Sequence, residues 1–265
     1  MAPPVLETDG ITRRFDDLIA VDHVTFSVRQ GEVFGLVGLN GAGKTTLIKM
    51  LITLLAPTEG NATVCGFDVA KEPSKVRHSI GYVPQLVSAD GDLTAYENLS
   101  VYARLYDVPA SDRAGRIEQA LDFMALGGVR NKLVREFSGG MVRRLEIAQS
   151  MLHRPHLLFL DEPTVGLDPV ARASVWEHII ELRDEFKTTI FLTTHLLEEV
   201  ENLCDRLAIM THGKMVAIGT VDELKKSVGP DASLDEVFVH YAGTHEEESG
   251  FRAASRARRT AKRLG

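Results

Sequence analysis

Eight consecutive residues, Gly38-Leu39-Asn40-Gly41-Ala42-Gly43-Lys44-Thr45, hold the densest chemistry in the chain. Glycines at this spacing free backbone N–H groups to wrap an anion, a lysine after the last glycine reaches the β- and γ-phosphates of a nucleotide, and the Thr45 hydroxyl is a ligand for Mg²⁺. Asn40, Ala42 and Thr46 belong to the stretch whose amides would meet the phosphates. The pattern G-x-x-x-x-G-K-[ST] carries this meaning only between an apolar strand and an amphipathic helix; otherwise it is a glycine-rich turn that merely starts a helix. A second candidate pair, Asp161-Glu162, follows four apolar residues, Leu157 to Leu160. Ligands bind at the carboxyl ends of buried parallel strands, so Asp161 is placed to hold Mg²⁺, usually through water, and Glu162 to polarise an attacking water as general base. Alone, the pair reads equally well as a turn cap before Pro163. With the phosphate loop, it reads as the second half of a nucleotide hydrolase.

The elements that must position these residues are readable. Val33-Phe34-Gly35-Leu36-Val37 is a continuous apolar run of strand length, as expected for a strand covered on both faces in a mostly parallel sheet. From Thr45 onward, Leu47, Met50, Leu51, Leu54 and Leu55 recur at helical spacing, so the helix is expected to continue until Pro57 ends it. Val24, Phe26 and Val28 alternate with Thr25 and Ser27, which places an antiparallel β portion first. Further strands are expected at Ile80 to Val83, Leu157 to Leu160, Thr189 to Thr194 and Leu207 to Met210, with a turn at His212-Gly213 leading to Met215 to Ile218. Between about Asp92 and Arg154 helical periodicity takes over, with Met141, Leu145, Ala148 and Leu152 on one face.

The fold implied is α/β: a P-loop (RecA-like), mostly parallel sheet core with an antiparallel β portion and an inserted helical subdomain. The expected division is residues 1–90 and 155–220 for the core and 91–154 for the helical insert. A C-terminal extension spans 221–245, with a helix around Val221 to Val228, a break at Pro230 and Leu234 to Tyr241 packing back. A disordered tail, 246–265, is basic from residue 252.

Composition bounds the function. With 44% hydrophobic and 25% charged residues the chain is ordinary for a globular protein. Its formal net charge of −7 argues against a general nucleic-acid binder. The average hides two regions, because six basic and no acidic residues lie between Ser249 and Gly265, leaving about −13 for the remainder. A tail of this kind is either solvated or an address for anionic lipid or a membrane partner. No uncharged apolar run approaches the roughly 18 to 20 residues a membrane span needs, and Met1 to Thr8 lack the regions of a secretory signal. Cys65 and Cys204 form no CxxC or metal-like cluster and are expected to be packing residues in a reducing cytoplasm.

Other residues narrow the class of hydrolase. Ser138-Gly139-Gly140 stands directly before an amphipathic helix, offering a hydroxyl and backbone donors at a second helix N-terminus; taken alone this is an N-cap with a flexible entry. His195 follows the strand Thr189 to Thr194 and so emerges at the same edge as Asp161 and Glu162, where it reads either as a structural histidine or as a hydrogen-bond partner of the γ-phosphate. Gln85, after Pro84 at the border of core and insert, reads as an exposed turn residue or as a sensor of Mg²⁺ and the attacking water.

In these segments the chain resembles the ATP-binding subunits of ABC transporters, from about Val5 to Gly243. The phosphate loop is similar to Walker A, Gln85 to the Q-loop, Phe137 to Met141 to the signature, Leu157 to Glu162 to Walker B, Gly166-Leu167-Asp168 to the D-loop and His195 to the switch histidine. Two positions depart from the common pattern. Phe15 stands where many relatives stack a tyrosine on adenine, although a phenylalanine at the start of a domain reads equally as a core residue, and Met141 replaces the glutamine that ends the signature while Ser138 and Gly140 are kept. The resemblance implies ATP and Mg²⁺ as ligands, with Thr45, Gln85 and Asp161 on the metal and Glu162, His195 and Gln85 catalytic. It also implies a homodimer or pairing with a related ABC ATPase domain, each phosphate loop facing the other chain's Ser138, Gly139 and Gly140, with Asp168 at the interface.

A separate integral-membrane permease is implied too, holding this chain at the cytoplasmic face of the cell membrane and docked on the helical insert, about Leu93 to Leu152, which is joined through Gln85. Arg143-Arg144-Leu145-Glu146-Ile147-Ala148, Asp161 to Pro169 and Leu234-Asp235-Glu236-Val237-Phe238 resemble the daunorubicin-resistance type of exporter ATPase, which implies export of a drug, lipid or other hydrophobic compound. An ABC ATPase for another exported cargo, such as a polysaccharide, lipid or ion, is the alternative. A soluble ABC ATPase acting on DNA or ribosomes is a reading of a different class, and co-purification with a hydrophobic membrane protein separates it from the first two. A P-loop kinase or GTPase leaves Ser138-Gly139-Gly140 and His195 unexplained.

Overall fold

A computed structural model describes residues 3–243, so the expectations for the tail at 246–265 lie outside the described residues. The chain opens with a hairpin of β1 (Leu6–Phe15) and β2 (Leu18–Val28), enters β3 (Val33–Val37) and turns into α1 (Lys44–Leu51). β4 (Glu59–Val64) and β5 (Phe67–Asp68) are followed by α2 (Pro73–Ser79) and β6 (Ile80–Val83). Helices α3 (Ala95–Leu105), α4 (Ala110–Phe123) and α5 (Gly139–Met151) intervene before β7 (Leu157–Asp161) and α6 (Pro169–Phe186). β8 (Thr189–Thr194), α7 (Leu197–Leu203), β9 (Arg206–Thr211), β10 (Lys214–Gly219), α8 (Val221–Val228) and α9 (Leu234–Ala242) complete the described chain.

Two sheets result. One is six-stranded in the order β10-β9-β3-β8-β7-β6 and parallel except for β10; the other is antiparallel in the order β2-β1-β4-β5. The architecture is thus the expected α/β one, with its antiparallel portion and its helices between β6 and β7. Every residue of β3, β7 and β8 is buried, which is why these strands read as unbroken apolar runs. One face of the parallel sheet turns Phe34, Phe159 and Phe191 toward Phe26 of β2, and the Phe34 ring lies 5.5 Å from both Phe26 and Phe191. Leu47, Ile48, Met50 and Leu51 of α1 join this layer, each fully buried side chain contributing about 1.5–3 kcal/mol. The other face, with Val33, Leu158, Leu160, Ile190 and Leu192, packs against the apolar sides of α3 to α6. Both cysteines are free thiols in apolar surroundings, and burial pushes Cys65 up to about 11.

Helix α1 is shorter than its periodicity implies. Thr53 turns left-handed at φ 66°, and the N–H groups of Thr53 and Leu54 donate back to the carbonyls of Met50 and Lys49 at 3.1 and 2.8 Å. This Schellman closure satisfies the carbonyls of Lys49 and Met50, ends the helix at Leu51 and turns Leu54 out to solvent, well before Pro57.

Candidate functional site

Strand register brings the candidate residues together. Val37 of β3 pairs with Thr194 of β8, and Asp161 of β7 pairs with Thr193, so residues 38–45, Asp161-Glu162 and His195 all emerge at one carboxyl edge of the sheet. The phosphate loop passes close beneath β2. Gly43 sits at φ 106°, and a Cβ there would come within 2.4 Å of the Ala20 carbonyl oxygen, so only glycine fits. The β9–β10 turn supports the loop from the side: Gly213 N–H donates to the Ala42 carbonyl at 2.9 Å. No side chain caps α1, which leaves its first N–H groups to an acceptor outside the helix.

At the centre, Lys44 is buried and donates to the carbonyls of Gly38 and Leu39 at 2.8 and 3.3 Å, with Glu162 Oε1 3.3 Å from its ammonium. The other Glu162 oxygen is 2.7 Å from His195 Nδ1. Burial by itself would raise the Glu162 pKa, but the bond from His195 and the charge of Lys44 outweigh it and hold the carboxyl below its ordinary value. Glu162 therefore stays ionised near neutrality. The same bond raises His195 above its ordinary 6.5 in spite of partial burial.

A pH signature follows from that shift. His195 binds its proton more tightly folded than unfolded, so its contribution to stability is complete below pH 6.5 and disappears as pH rises through the raised folded value. Replacing His195 with Gln is expected to cost stability at about pH 6 and little at about pH 9, read from urea midpoints of the two proteins. An equal difference at both pH values would contradict the pairing.

Thr193 is the residue that sequence reasoning passed over. Its Oγ1 donates to Asp161 Oδ1 at 2.6 Å, and its Oγ1 and carbonyl both lie 3.1 Å from the Glu162 N–H. One threonine thus holds the Asp161 carboxylate and the backbone of Glu162. Glu162 needs such a hold, because its φ of 51° places a non-glycine residue in the left-handed region, at a cost of about 1–3 kcal/mol.

A cleft of about 430 Å³ opens over this edge, lined by Phe15, Asn40, Gly41, Ala42, Gly43, Lys44, Thr45, Thr46, Gln85 and Glu162, with Ala20, His212 and Gly213 among the residues on its other wall. Phe15 is 40% exposed with the Arg13 guanidinium 4.5 Å from its ring centroid, so it belongs to the cleft wall and not to the core. Gly38 meets the site through its carbonyl on Lys44, and Asp161 lies buried behind it.

Seven expected residues do not line the cleft: Gly38, Asp161 and His195 stand beside it, bonded to Lys44, Thr193 and Glu162, whereas Ser138, Gly139, Gly140 and Asp168 lie elsewhere. Ser138 N-caps α5, its Oγ accepting from Met141 N–H at 3.3 Å, and Ser138 and Gly139 are exposed. Gly140 is buried against α6, where a Cβ would come within 2.9 Å of the Ala171 Cβ. Asp168 N-caps α6, accepting from the N–H groups of Val170 and Ala171 at 3.0 and 2.9 Å. The Gly140–Ala171 contact sets the starts of these two helices side by side on a separate surface.

Residues 21–165 match the family described as ABC transporter. The daunorubicin/doxorubicin resistance ATP-binding protein DrrA of Streptomyces peucetius is 45% identical over 224 residues, covering 84% of this chain and 68% of that protein. The Nod factor export ATP-binding protein I of Ralstonia nicotianae is 41% identical over 221 residues, covering 83% of this chain and 68% of that one. A solved structure described as an ATP binding subunit of an ABC transporter superposes with a TM-score of 0.80 at 32% identity, covering 90% of this chain and 100% of the other.

Proposed function

This chain belongs to the ABC transporter family of ATP-binding, ATP-hydrolysing subunits that work with a membrane permease, and from that premise we propose that two such domains close face to face on ATP, each completing the other's site. The observation that carries this reading is the division of the candidate residues between two surfaces. The cleft holds Lys44, the uncapped start of α1 and Glu162, while the exposed start of α5 with Ser138 and the start of α6 with Asp168 lie outside it. A triphosphate in the cleft of one chain would receive donors from the Ser138, Gly139 and Gly140 of the second, so the γ-phosphate holds the halves together.

Within one chain, Lys44 and the amides of residues 40–46 would bind the triphosphate, and Phe15 would stack on the base. Glu162, ionised and immobilised between Lys44 and His195, would take the proton of the attacking water. Thr45, Gln85 and Asp161 would hold Mg²⁺, which when bound neutralises phosphate charge. Their donors are hard oxygens and few, the set Mg²⁺ takes when phosphates and water supply the rest.

Among the described residues, no helix is long and apolar enough to cross a membrane. The permease is proposed to dock from the membrane side on the helical insert, which joins the core through Gln85, and Leu86 and Val87 at that joint expose 81% and 66% of their surface. The cargo is proposed to be a drug, antibiotic or other hydrophobic compound moved outward. Support comes from the likeness to DrrA, while the Nod factor export relative shows that similar chains serve different cargoes.

Ser138→Arg tests the face-to-face arrangement. It is expected to leave ATP affinity of the single chain within about twofold and to abolish ATP-driven dimerisation on gel filtration, because an arginine at an exposed N-cap blocks the approach of a second chain without touching the cleft. Unchanged dimerisation would remove the arrangement.

A further inference from the structure

The segment that leaves β6 is tied to the signature helix α5 by a buried pair of charges. Arg143 donates from Nη1 to the Pro84 carbonyl at 2.8 Å and from Nη2 to the Gln85 carbonyl at 3.1 Å. Glu146, three residues along α5, pairs with Arg143 at 3.0 Å and accepts at Oε1 from the Ser88 hydroxyl at 3.0 Å and from the Ser88 N–H. Both side chains are buried, at 6% and 2% exposure, where a charge that loses its partner is strongly penalised. Asn98 of α3 extends the tie, accepting from Asp90 N–H and donating to the Asp90 carbonyl, both at 2.9 Å, while Gln149 of α5 donates to Asn98 at 3.2 Å. The backbone of residues 84–90 is therefore fastened to the helical insert, while Gln85 reaches the cleft and Leu86 and Val87 face outward.

We propose that Arg143 and Glu146 are positioning residues, a buried clamp that makes residues 84–88 and α5 one rigid piece, so that the placement of Gln85 at the nucleotide sets where α5 presents Ser138 to the second chain. Neither side chain lines the cleft, and each acts through the segment it holds. Each polar end of the pair is fixed to a different part of the segment: the guanidinium to two carbonyls at its start, the carboxylate to an amide and a hydroxyl at Ser88. Displacing the segment from α5 would strip the guanidinium of its two carbonyls and the carboxylate of the Ser88 amide and hydroxyl, leaving the two buried charges only each other, and displacements are consequently passed on rather than absorbed. The clamp rests on the reading that Gln85 and Ser138 act at the nucleotide.

The test replaces both charges by apolar side chains of similar size, Arg143→Met with Glu146→Leu, an exchange that buried ion pairs tolerate with little loss of stability. The expected result is a melting temperature near that of the parent, a KM for ATP within about twofold and a kcat lower by about 10- to 100-fold. Exchange of the Ser88 amide should speed up by at least about tenfold while the middle of α5 stays protected. A folded double variant with parental kcat would overturn the clamp, as would a variant that loses melting temperature but keeps kcat in its folded fraction. Should the double variant fail to fold, Glu146→Gln, of nearly the same shape, is read for the same split between kcat and KM. ATP-driven dimerisation of Glu162→Gln tests the underlying reading separately: no dimer there overturns that reading and the clamp with it, whereas a dimer there together with parental kcat in the clamp variants overturns the clamp alone.

Discussion

Lys44→Ala is expected to abolish ATP binding and hydrolysis together. The ammonium is buried at the start of α1, held by two loop carbonyls and beside Glu162, and its charge is the only one from a lysine or arginine lining the cleft among the described residues. Charge-assisted hydrogen bonds contribute about 1.5–3 kcal/mol each, so losing those to a triphosphate weakens affinity by at least about a hundredfold. The substitution also leaves the Glu162 carboxylate facing the incoming phosphates without the lysine charge that, after the His195 hydrogen bond, helps hold its pKa down. Titration with a fluorescent ATP analogue and a phosphate-release assay read the two losses. Turnover at the parental rate in this variant would remove the phosphate-loop reading altogether.

Glu162→Gln separates binding from chemistry. The amide keeps the shape and can still meet His195 and Lys44, so ATP binding should survive, but it cannot take a proton from water. Hydrolysis is expected to fall by about 10² to 10⁴ in single-turnover measurements. ATP that is bound but not consumed should then hold two chains together. Because the carboxylate is the largest cause of the raised His195 pKa, the imidazole should also titrate closer to its ordinary 6.5 in this variant, which NMR would show. Normal hydrolysis by Glu162→Gln would exclude it as the general base.

What could be read ahead of the structure follows from how local each signal is. The phosphate loop is a contiguous sequence whose neighbours, β3 and α1, are also local, and β3, β7 and β8 were legible because burial on both faces makes them apolar throughout. β1 hid because its register shifts between Thr8 and Ile11 and again before Arg13, which breaks the alternation. β4 has four exposed residues among its six and forms because β1 offers it an edge. Helix α6 begins at Asp168-Pro169, an N-cap followed by a first-turn proline, and Asp168 caps the helix through the N–H groups of Val170 and Ala171. The end of α1 depended on a left-handed Thr53, which no propensity signals.

The supporting residues of the site were illegible for a different reason. Thr193 is an ordinary strand threonine until the register sets it opposite Asp161. Glu146 and Ser88 are separated by 58 positions, and nothing in either sequence neighbourhood announces the other. Glu199 is similar: it looks like an acidic first-turn residue of α7, yet it is buried, accepting from Thr164 and Trp176 at 2.8 and 3.1 Å, and burial raises its pKa. Residues that touch a ligand announce themselves by type, whereas residues that hold them do so only through tertiary contacts.

The central claim, that ATP is enclosed between the phosphate loop of one chain and the Ser138 surface of another, is tested most directly by the mass of the Glu162→Gln chain in solution, measured by light scattering with and without Mg·ATP. The account predicts the mass of one chain without nucleotide and of two chains with it. A mass of one chain at concentrations where bound Mg·ATP is demonstrated would contradict it.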